Sequence, residues 1–168
     1  MRARVSAARR NLKEAVGKRT GQGTRTGFEA GLVVGGAAGF EAHVRRQIEA
    51  GVLAGLDAVE AKRIARRYGS NALKLYALAG ESREFAERHG LPVALAAELR
   101  YAVTAEMAAT PAYFWVRCTG RLYFDRPGVL RWKDTASAAM AELLEWSAAR
   151  CVEYDRELER LLAEAVAP

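Results

Sequence analysis

The chain has 168 residues, of which 51% are hydrophobic and 27% are charged. This balance is typical of one globular domain with a buried core and excludes a disordered chain. No uninterrupted apolar run reaches the ~18 residues that a membrane span needs, and the N-terminus lacks the apolar core of a secretory signal. A cytoplasmic protein is therefore predicted.

The formal charge of +6 is unevenly distributed along the chain. Eight basic residues and one acidic residue precede residue 28, whereas 18 basic and 19 acidic residues follow from there. The basic charge therefore belongs to an N-terminal extension, and the globular part is nearly neutral. A nucleic-acid partner is not favoured for the globular part.

Residues 1–39 predict a basic helix followed by a glycine-rich connector. Apolar residues recur at helical spacing over residues 1–17, namely Val5, Ala8, Leu12 and Val16. The glycines at 21, 23 and 27 invite comparison with a dinucleotide-binding loop. Such a loop joins an apolar strand to a helix, and here a basic helix precedes it, so a flexible linker is favoured.

Residues 40–168 predict a series of helices. The first has an apolar stripe of Phe40, Val44, Ile48, Val52 and Leu56. Gly51 and Gly55 on the same helix predict the close approach of another helix. Asp57 begins a second helix, which Gly69 ends, and Ser70 or Asn71 is expected to cap a third.

The joint at residues 66–71 has the form of a helix–turn–helix. A DNA-recognition helix needs polar and basic side chains that reach bases and phosphates. The helix after this joint has Lys74 as its one basic residue, so a packing role is favoured.

Pro92 begins a central helix with Leu95, Leu99, Val103 and Met107 predicted on one face. Glu98 and Glu106 lie eight residues apart on it, which corresponds to about 12 Å of helix rise. That distance is too long for a paired-carboxylate acid–base site. We expect one of the two glutamates to pair with Arg117 or Arg121.

The segment from residue 106 to 124 is rich in aromatic residues and is predicted to be a buried anchor. Thr110 can cap a helix that begins at Pro111, and Gly120 offers a left-handed stop. Its aromatic residues are Tyr113, Phe114, Trp115, Tyr123 and Phe124.

An extended connection is predicted over residues 120–125. Asp125 and Ser147 are then predicted to begin the last two helices. No segment shows the alternation of a strand. The predicted fold is all-α, a single orthogonal bundle of about six to eight helices without a sheet.

The sequence offers no constellation for catalysis. Two lone cysteines, Cys118 and Cys151, and two distant histidines, His43 and His89, are too few for a metal site. No serine or cysteine has a plausible catalytic base nearby. We therefore assign no catalytic, cofactor-binding or metal-binding residue.

The aromatic segment and the joint before it also carry a family resemblance. The residues that match are Arg67 to Asn71, Glu106, Met107, Ala108, Thr110, Pro111, Phe114, Arg117, Thr119, Gly120, Leu122 and Phe124. Over roughly residues 35–151 the chain resembles the C-terminal helical domain of FAD-dependent (aerobic) glycerol-3-phosphate dehydrogenases and alpha-glycerophosphate oxidases. Tyr113 departs from the family pattern, which has an acid there, and Cys118 stands in place of an arginine.

The resemblance implies a non-catalytic part of an enzyme that oxidises glycerol 3-phosphate to dihydroxyacetone phosphate. The FAD and substrate sites would lie in a flavin-binding domain, the partner in cis or in trans, and residues 1–39 would be the end of that domain. The residues expected at a domain interface, or in a structural motif, are Tyr68, Gly69, Asn71, Glu106, Thr110, Pro111, Arg117, Thr119, Gly120 and Arg121.

The remaining partner predictions follow from the same resemblance. A homodimer is allowed, and contact with the inner face of the cell membrane is expected only peripherally, through the parent enzyme. The alternative is a stand-alone helical interaction module whose basic tail binds nucleic acid.

Overall fold

A computed structural model describes residues 37–165, and in this range the chain is helical with no strand. The all-α prediction is confirmed. The predicted basic helix at residues 1–17 and the glycine-rich connector up to residue 36 lie outside the described residues. The domain boundary at residue 40 therefore stays a prediction, although the first described helix begins three residues earlier.

Nine helices are found in the described part of the chain, of which seven have seven residues or more and two are short helical turns. The helices are α1 Ala37–Leu53, α2 Ala58–Tyr68, α3 Ala72–Glu81, α4 Arg83–His89, α5 Val93–Ala105, α6 Pro111–Tyr113, α7 Arg121–Phe124, α8 Arg126–Leu144 and α9 Ala148–Glu164. A 3-10 turn, Gly69–Asn71, links α2 to α3, and a π-helical turn, Phe114–Cys118, continues α6.

Helices α1, α2 and α3 pack closely around Gly51. A Cβ atom at this position would lie 2.7 Å from the Cβ of Ala61 and 2.9 Å from the ring of Tyr76. The predicted close approach is therefore confirmed at Gly51. Gly55 does not lie on α1 as predicted: it follows the end of that helix with φ +87°, and the side chain of Arg83 from α4 lies against it. A left-handed residue ends a helix, so Leu56 does not extend the stripe of α1 either.

The apolar stripe predicted for α1 is only partly correct. Val44 is buried, but Phe40 and Val52 are exposed. Only one side of α1 faces α2 and α3, and a repeat of four residues drifts around a helix of 3.6 residues per turn. The two exposed residues therefore turn away from the contact.

Side-chain caps begin α2 and the last two helices as predicted. The Oδ1 atom of Asp57 accepts bonds from the backbone N–H groups of Val59 and Glu60, at 2.9 and 3.0 Å. Asp125 accepts from Gly128 at 3.1 Å, and Ser147 accepts from Arg150 at 3.4 Å. Each cap satisfies a backbone donor at a helix start.

The predicted cap of α3 is wrong. Neither Ser70 nor Asn71 accepts a bond from the start of α3, since the 3-10 turn leads directly into the helix. The side chain of Asn71 instead accepts a bond from Nζ of Lys74, at 3.0 Å.

Helix α5 lies between two clusters of buried side chains. The first contains Leu95, Leu99, Phe114, Trp115, Met140, Leu158 and Leu162, and the second contains Ile64, Leu75, Tyr76, Ala94, Ala97 and Tyr101. Met107 belongs to neither, contrary to prediction. Helix α5 ends at Ala105, and Met107 follows with φ +58° and 73% exposure.

The aromatic segment is an anchor through two of its side chains. Phe114 and Trp115 are fully buried. Thr110 caps the segment by accepting a bond from the N–H of Tyr113 at 3.1 Å, and Gly120 ends it with φ +61°. Tyr113, Tyr123 and Phe124 are exposed, so only two of the five aromatic rings of the segment are buried.

The extended connection predicted over residues 120–125 is wrong. Residues 121–124 form the helical turn α7. The N–H groups of Tyr123 and Phe124 donate to the carbonyl of Gly120, at 3.2 and 3.3 Å. This turn places Arg121 against the core.

Candidate domain interface

A buried carboxylate, Glu98 on α5, holds three helices together. Arg63 of α2 donates to both of its oxygens, from Nη1 to Oε1 at 2.7 Å and from Nη2 to Oε2 at 2.8 Å. Arg121 of α7 donates from Nη2 to Oε2 at 3.1 Å. Glu98 is fully buried, so these two arginines supply the charge and hydrogen bonds that a buried carboxylate requires.

Two further acids surround this group. Glu60 accepts a bond from Nε of Arg63 at 3.0 Å, and Asp125 lies 3.7 Å from Nη1 of Arg121. Burial alone would lower the pKa of Arg63, but the hydrogen bonds and negative charges of Glu98 and Glu60 outweigh it and raise that pKa. Arg63 therefore stays charged.

The predicted pairing of a glutamate with an arginine is confirmed for Glu98 and Arg121. Sequence reasoning missed Arg63. A clue was present, because Arg63, Arg66 and Arg67 follow the i, i+3, i+4 spacing of one helix face. Arg117, the other predicted partner, is exposed and forms no ion pair with a described residue.

An open cleft of about 560 Å³ lies above this cluster, between α2 and the end of the aromatic segment. The side chains that line it are those of Arg63, Arg66, Arg67, Arg117, Cys118 and Phe124. The backbone at Thr119 and Gly120 completes the lining. We call this surface the arginine cleft.

The polar residues near the cleft include buried atoms without a partner. The hydroxyl of Tyr68 and Oε2 of Glu106 are buried and form no hydrogen bond with the described residues. Burial, with the negative charges of Glu98 and Glu106, raises the pKa of the Tyr68 phenol. Burial and a hydrogen bond with Glu106 raise the pKa of the Cys118 thiol to about 12. Both groups stay protonated near neutral pH.

The structure brings together part of the predicted motif. Arg117, Thr119 and Gly120 line the cleft, Arg121 lies in the ion cluster, and Tyr68 packs edge-on against Tyr101 with ring centroids 5.7 Å apart. The other predicted residues have local roles. Gly69 has φ +51°, Thr110 and Pro111 begin α6, and Asn71 is exposed.

The described residues do not fit FAD. A dinucleotide site of the expected kind needs a strand that leads through a glycine-rich turn into a helix, and residues 37–165 contain no strand. Over the same range no three histidine, cysteine, aspartate or glutamate residues are grouped to hold a metal ion. No helix in this range is long and apolar enough to cross a membrane.

Known proteins resemble the chain over this same region. The glycerol-3-phosphate dehydrogenase of Bacillus halodurans, solved in complex with FAD, superimposes with a TM-score of 0.77 at 39% identity, over 83% of this chain and 28% of that one. The aerobic glycerol-3-phosphate dehydrogenase of Bacillus subtilis is 36% identical over 80% of this chain and 24% of its own length. That of Staphylococcus haemolyticus is 39% identical over 79% of this chain and 23% of its own length.

The chain thus spans about a quarter of the length of the curated relatives that it matches. The family model for the C-terminal domain of alpha-glycerophosphate oxidase matches residues 30–151, which include the ion cluster and the arginine cleft. The chain belongs to this family of C-terminal domains.

Proposed function

We propose that this chain serves as the helical C-terminal domain of an FAD-dependent glycerol-3-phosphate dehydrogenase. In this role it packs against the FAD-binding domain, in cis or in trans, and supplies no catalytic residue. The observation that carries the proposal is the likeness to the FAD-containing Bacillus halodurans enzyme, at 39% identity and a TM-score of 0.77. The ion cluster supports a structural role, since Arg63 and Arg121 both pair with Glu98 inside the domain.

The FAD and the oxidation of glycerol 3-phosphate to dihydroxyacetone phosphate belong, in this proposal, to the partner domain. We place the assembly in the cytoplasm, with peripheral contact at the inner face of the membrane through the parent enzyme. The predicted interface residues belong to the same proposal. The motif around Tyr68 and Arg117 faces the partner domain, and the residues at the start of α6 fix the geometry of this motif.

A domain exchange tests this function. Residues 37–165 replace the matched region of the Bacillus subtilis dehydrogenase, and the chimera is purified. We expect it to retain the absorbance of bound FAD and to reduce an artificial electron acceptor when glycerol 3-phosphate is added. The 168-residue chain alone should show neither property. A chimera without FAD, or a chain that binds FAD alone, would overturn the proposal.

The alternative of a nucleic-acid-binding module is tested with the purified 168-residue chain. Binding of a DNA or RNA oligonucleotide that weakens steeply with salt, and disappears when residues 1–27 are removed, would support it. Size-exclusion chromatography with light scattering decides between a monomer and a homodimer.

A further inference from the structure

We propose that the arginine cleft is the docking surface for an acidic segment of the FAD-binding domain. This inference rests on the proposed function and specifies where, and with what chemistry, the two domains meet. The partner would place carboxylates against Arg67 and Arg117 and an apolar side chain against Phe124.

Two of the four arginines that line the cleft have no acidic partner among the described residues. Arg63 is neutralised by Glu98 and Glu60, and Arg66 lies 3.2 Å from Glu41. Arg67 and Arg117 are exposed, and neither forms an ion pair in the range 37–165. No acidic side chain lines the cleft. Residues 37–165 contain equal numbers of basic and acidic residues, so this excess of positive charge is local.

An exposed aromatic ring lies beside these charges. Phe124 is 87% exposed, although Leu122, two residues before it, is buried in the first cluster. Aromatic and arginine side chains are enriched at protein interfaces and provide much of their binding energy. The combination of Phe124 with Arg67 and Arg117 is therefore typical of a docking surface.

Side chains at and next to the cleft are held by hydrogen bonds within the described residues. Arg63 and Arg121 are fixed by Glu98, and the Thr119 hydroxyl donates to the carbonyl of Phe114 at 3.1 Å. A surface that is already ordered loses little conformational entropy on binding. The cleft is also open, so it suits a segment of a folded partner better than an enclosed small molecule.

The charge of the cleft favours an acidic protein segment over a second copy of the chain or a nucleic acid. In a two-fold symmetric contact between two copies, the same surface meets itself, and Arg67 and Arg117 would then face arginines of the second copy. Such a contact is unfavourable because like charges repel. Nucleic acid would match the charge, but residues 37–165 have no net positive charge to attract a polyanion. An acidic protein segment satisfies both the charges and the exposed ring.

The test compares backbone hydrogen exchange in the isolated 168-residue chain and in the Bacillus subtilis chimera. We expect slower exchange in the chimera over residues 63–69 and 117–124. Arg67→Glu combined with Arg117→Glu should lower the protection factors of these residues in the chimera about tenfold or more, because carboxylates in the partner would then be repelled. The matched control is Arg131→Glu with Arg156→Glu, two exposed arginines outside the cleft, which should leave the protection unchanged.

The outcomes separate this inference from the proposed function. A chimera that lacks FAD counts against the proposed function itself. A chimera that holds FAD but leaves the cleft unprotected overturns only the docking surface, as does equal loss of protection in the control variant. Oligonucleotide binding by the isolated chain that Arg67→Glu and Arg117→Glu abolish would reassign the cleft to nucleic acid. Protection that grows with the concentration of the isolated chain would reassign it to a second copy.

Discussion

At the scale of single residues, Glu98 depends on its neighbours because its charge is fully buried and needs their hydrogen bonds and opposite charge. Replacing Glu98 with glutamine keeps the shape but removes the charge that two buried or half-buried arginines face. Breaking a buried ion pair from one side costs about 3–5 kcal/mol, because the remaining charge is left without compensation. We expect Glu98→Gln to lower the free energy of unfolding by about 3 kcal/mol or more, as measured by urea denaturation.

Glu142 provides the matched control for this substitution. It also faces two basic groups, with Arg88 and His89 each 2.9 Å away, but the side chains of Glu142 and Arg88 are about half exposed. Exposed ion pairs contribute about 0–1 kcal/mol, so Glu142→Gln should change stability by no more than that. Equal effects of the two variants would show that the Glu98 cluster does not hold the helices together.

We predict that Cys118 makes the free energy of unfolding fall as the pH rises above 9. Burial and the bond with Glu106 raise its pKa from 9.0 to about 12. In the unfolded chain the thiol ionises near its ordinary value, so its stabilising contribution is complete below pH 9 and is lost as the pH rises from 9 to 12. Cys118→Ala should therefore reduce the fall in the free energy of unfolding between pH 9 and pH 10.

Other groups also ionise as the pH rises and have to be separated from the thiol. From about pH 9 upward the phenols of Tyr68, Tyr76 and Tyr101, whose pKa values burial raises from 10.0, begin to contribute a loss of the same sign in both proteins. The difference between the unsubstituted chain and Cys118→Ala in urea denaturation at pH 8, 9 and 10 therefore isolates the contribution of the thiol. Identical slopes for the two proteins would mean that Cys118 ionises as readily in the folded state as in the unfolded one.

At the scale of helices, the contact between α1, α2 and α3 depends on a missing side chain. Gly51→Ala would place a Cβ atom 2.7 Å from Ala61 and 2.9 Å from Tyr76, and forcing atoms into a packed contact costs about 1–3 kcal/mol. The better helix propensity of alanine returns about 1 kcal/mol at most. We expect net destabilisation, seen as a lower midpoint of thermal unfolding.

Gly80, within α3, is the corresponding control. A Cβ atom there meets nothing within 4 Å, and the position is exposed. Gly80→Ala should stabilise the protein by about 0.5–1 kcal/mol, because alanine loses less backbone entropy on folding. The two identical substitutions should therefore shift the midpoint in opposite directions. A shift of the same sign would contradict the packing around Gly51.

Helix starts were predictable from sequence because their hydrogen bonds are local. Asp57, Thr110, Asp125 and Ser147 each cap through a bond to a backbone group two or three residues ahead. The bond between Arg63 and Glu98 joins residues 35 positions apart, and only the packed fold brings them together. The sequence contained the arginine face of α2 but could not indicate which carboxylate it meets.

The errors at Met107 and in residues 120–125 have two local causes. A residue with positive φ ends a periodic pattern, and for Met107 nothing in its type predicts that conformation, since left-handed backbone is costly for side chains of this kind. The helical periodicity of the sequence therefore places Met107 on the apolar face of α5, although the helix ends before it. After Gly120, the turn α7 is only four residues long, which is too short to show helical periodicity in sequence.

At the scale of the whole molecule, α5 makes the two clusters of buried side chains one unit. Leu95 and Leu99 pack into the first cluster, and Ala97 and Tyr101 pack into the second. Glu98, between them in sequence, joins α2 of the second cluster to α7 beside the first. Neither cluster can lose α5 without exposing the other, so we expect residues 37–165 to unfold in one cooperative transition.

The distribution of aromatic residues allows a direct measurement of this cooperativity. All three tryptophans, Trp115, Trp132 and Trp146, contact the first cluster, so their fluorescence reports its unfolding. Native-state hydrogen exchange of the backbone amides in α2 and α3 reports the second cluster. The free energy of opening from exchange should equal the free energy of unfolding from fluorescence. If α2 and α3 open at a clearly lower free energy, the clusters are separate units and Glu98 does not couple them.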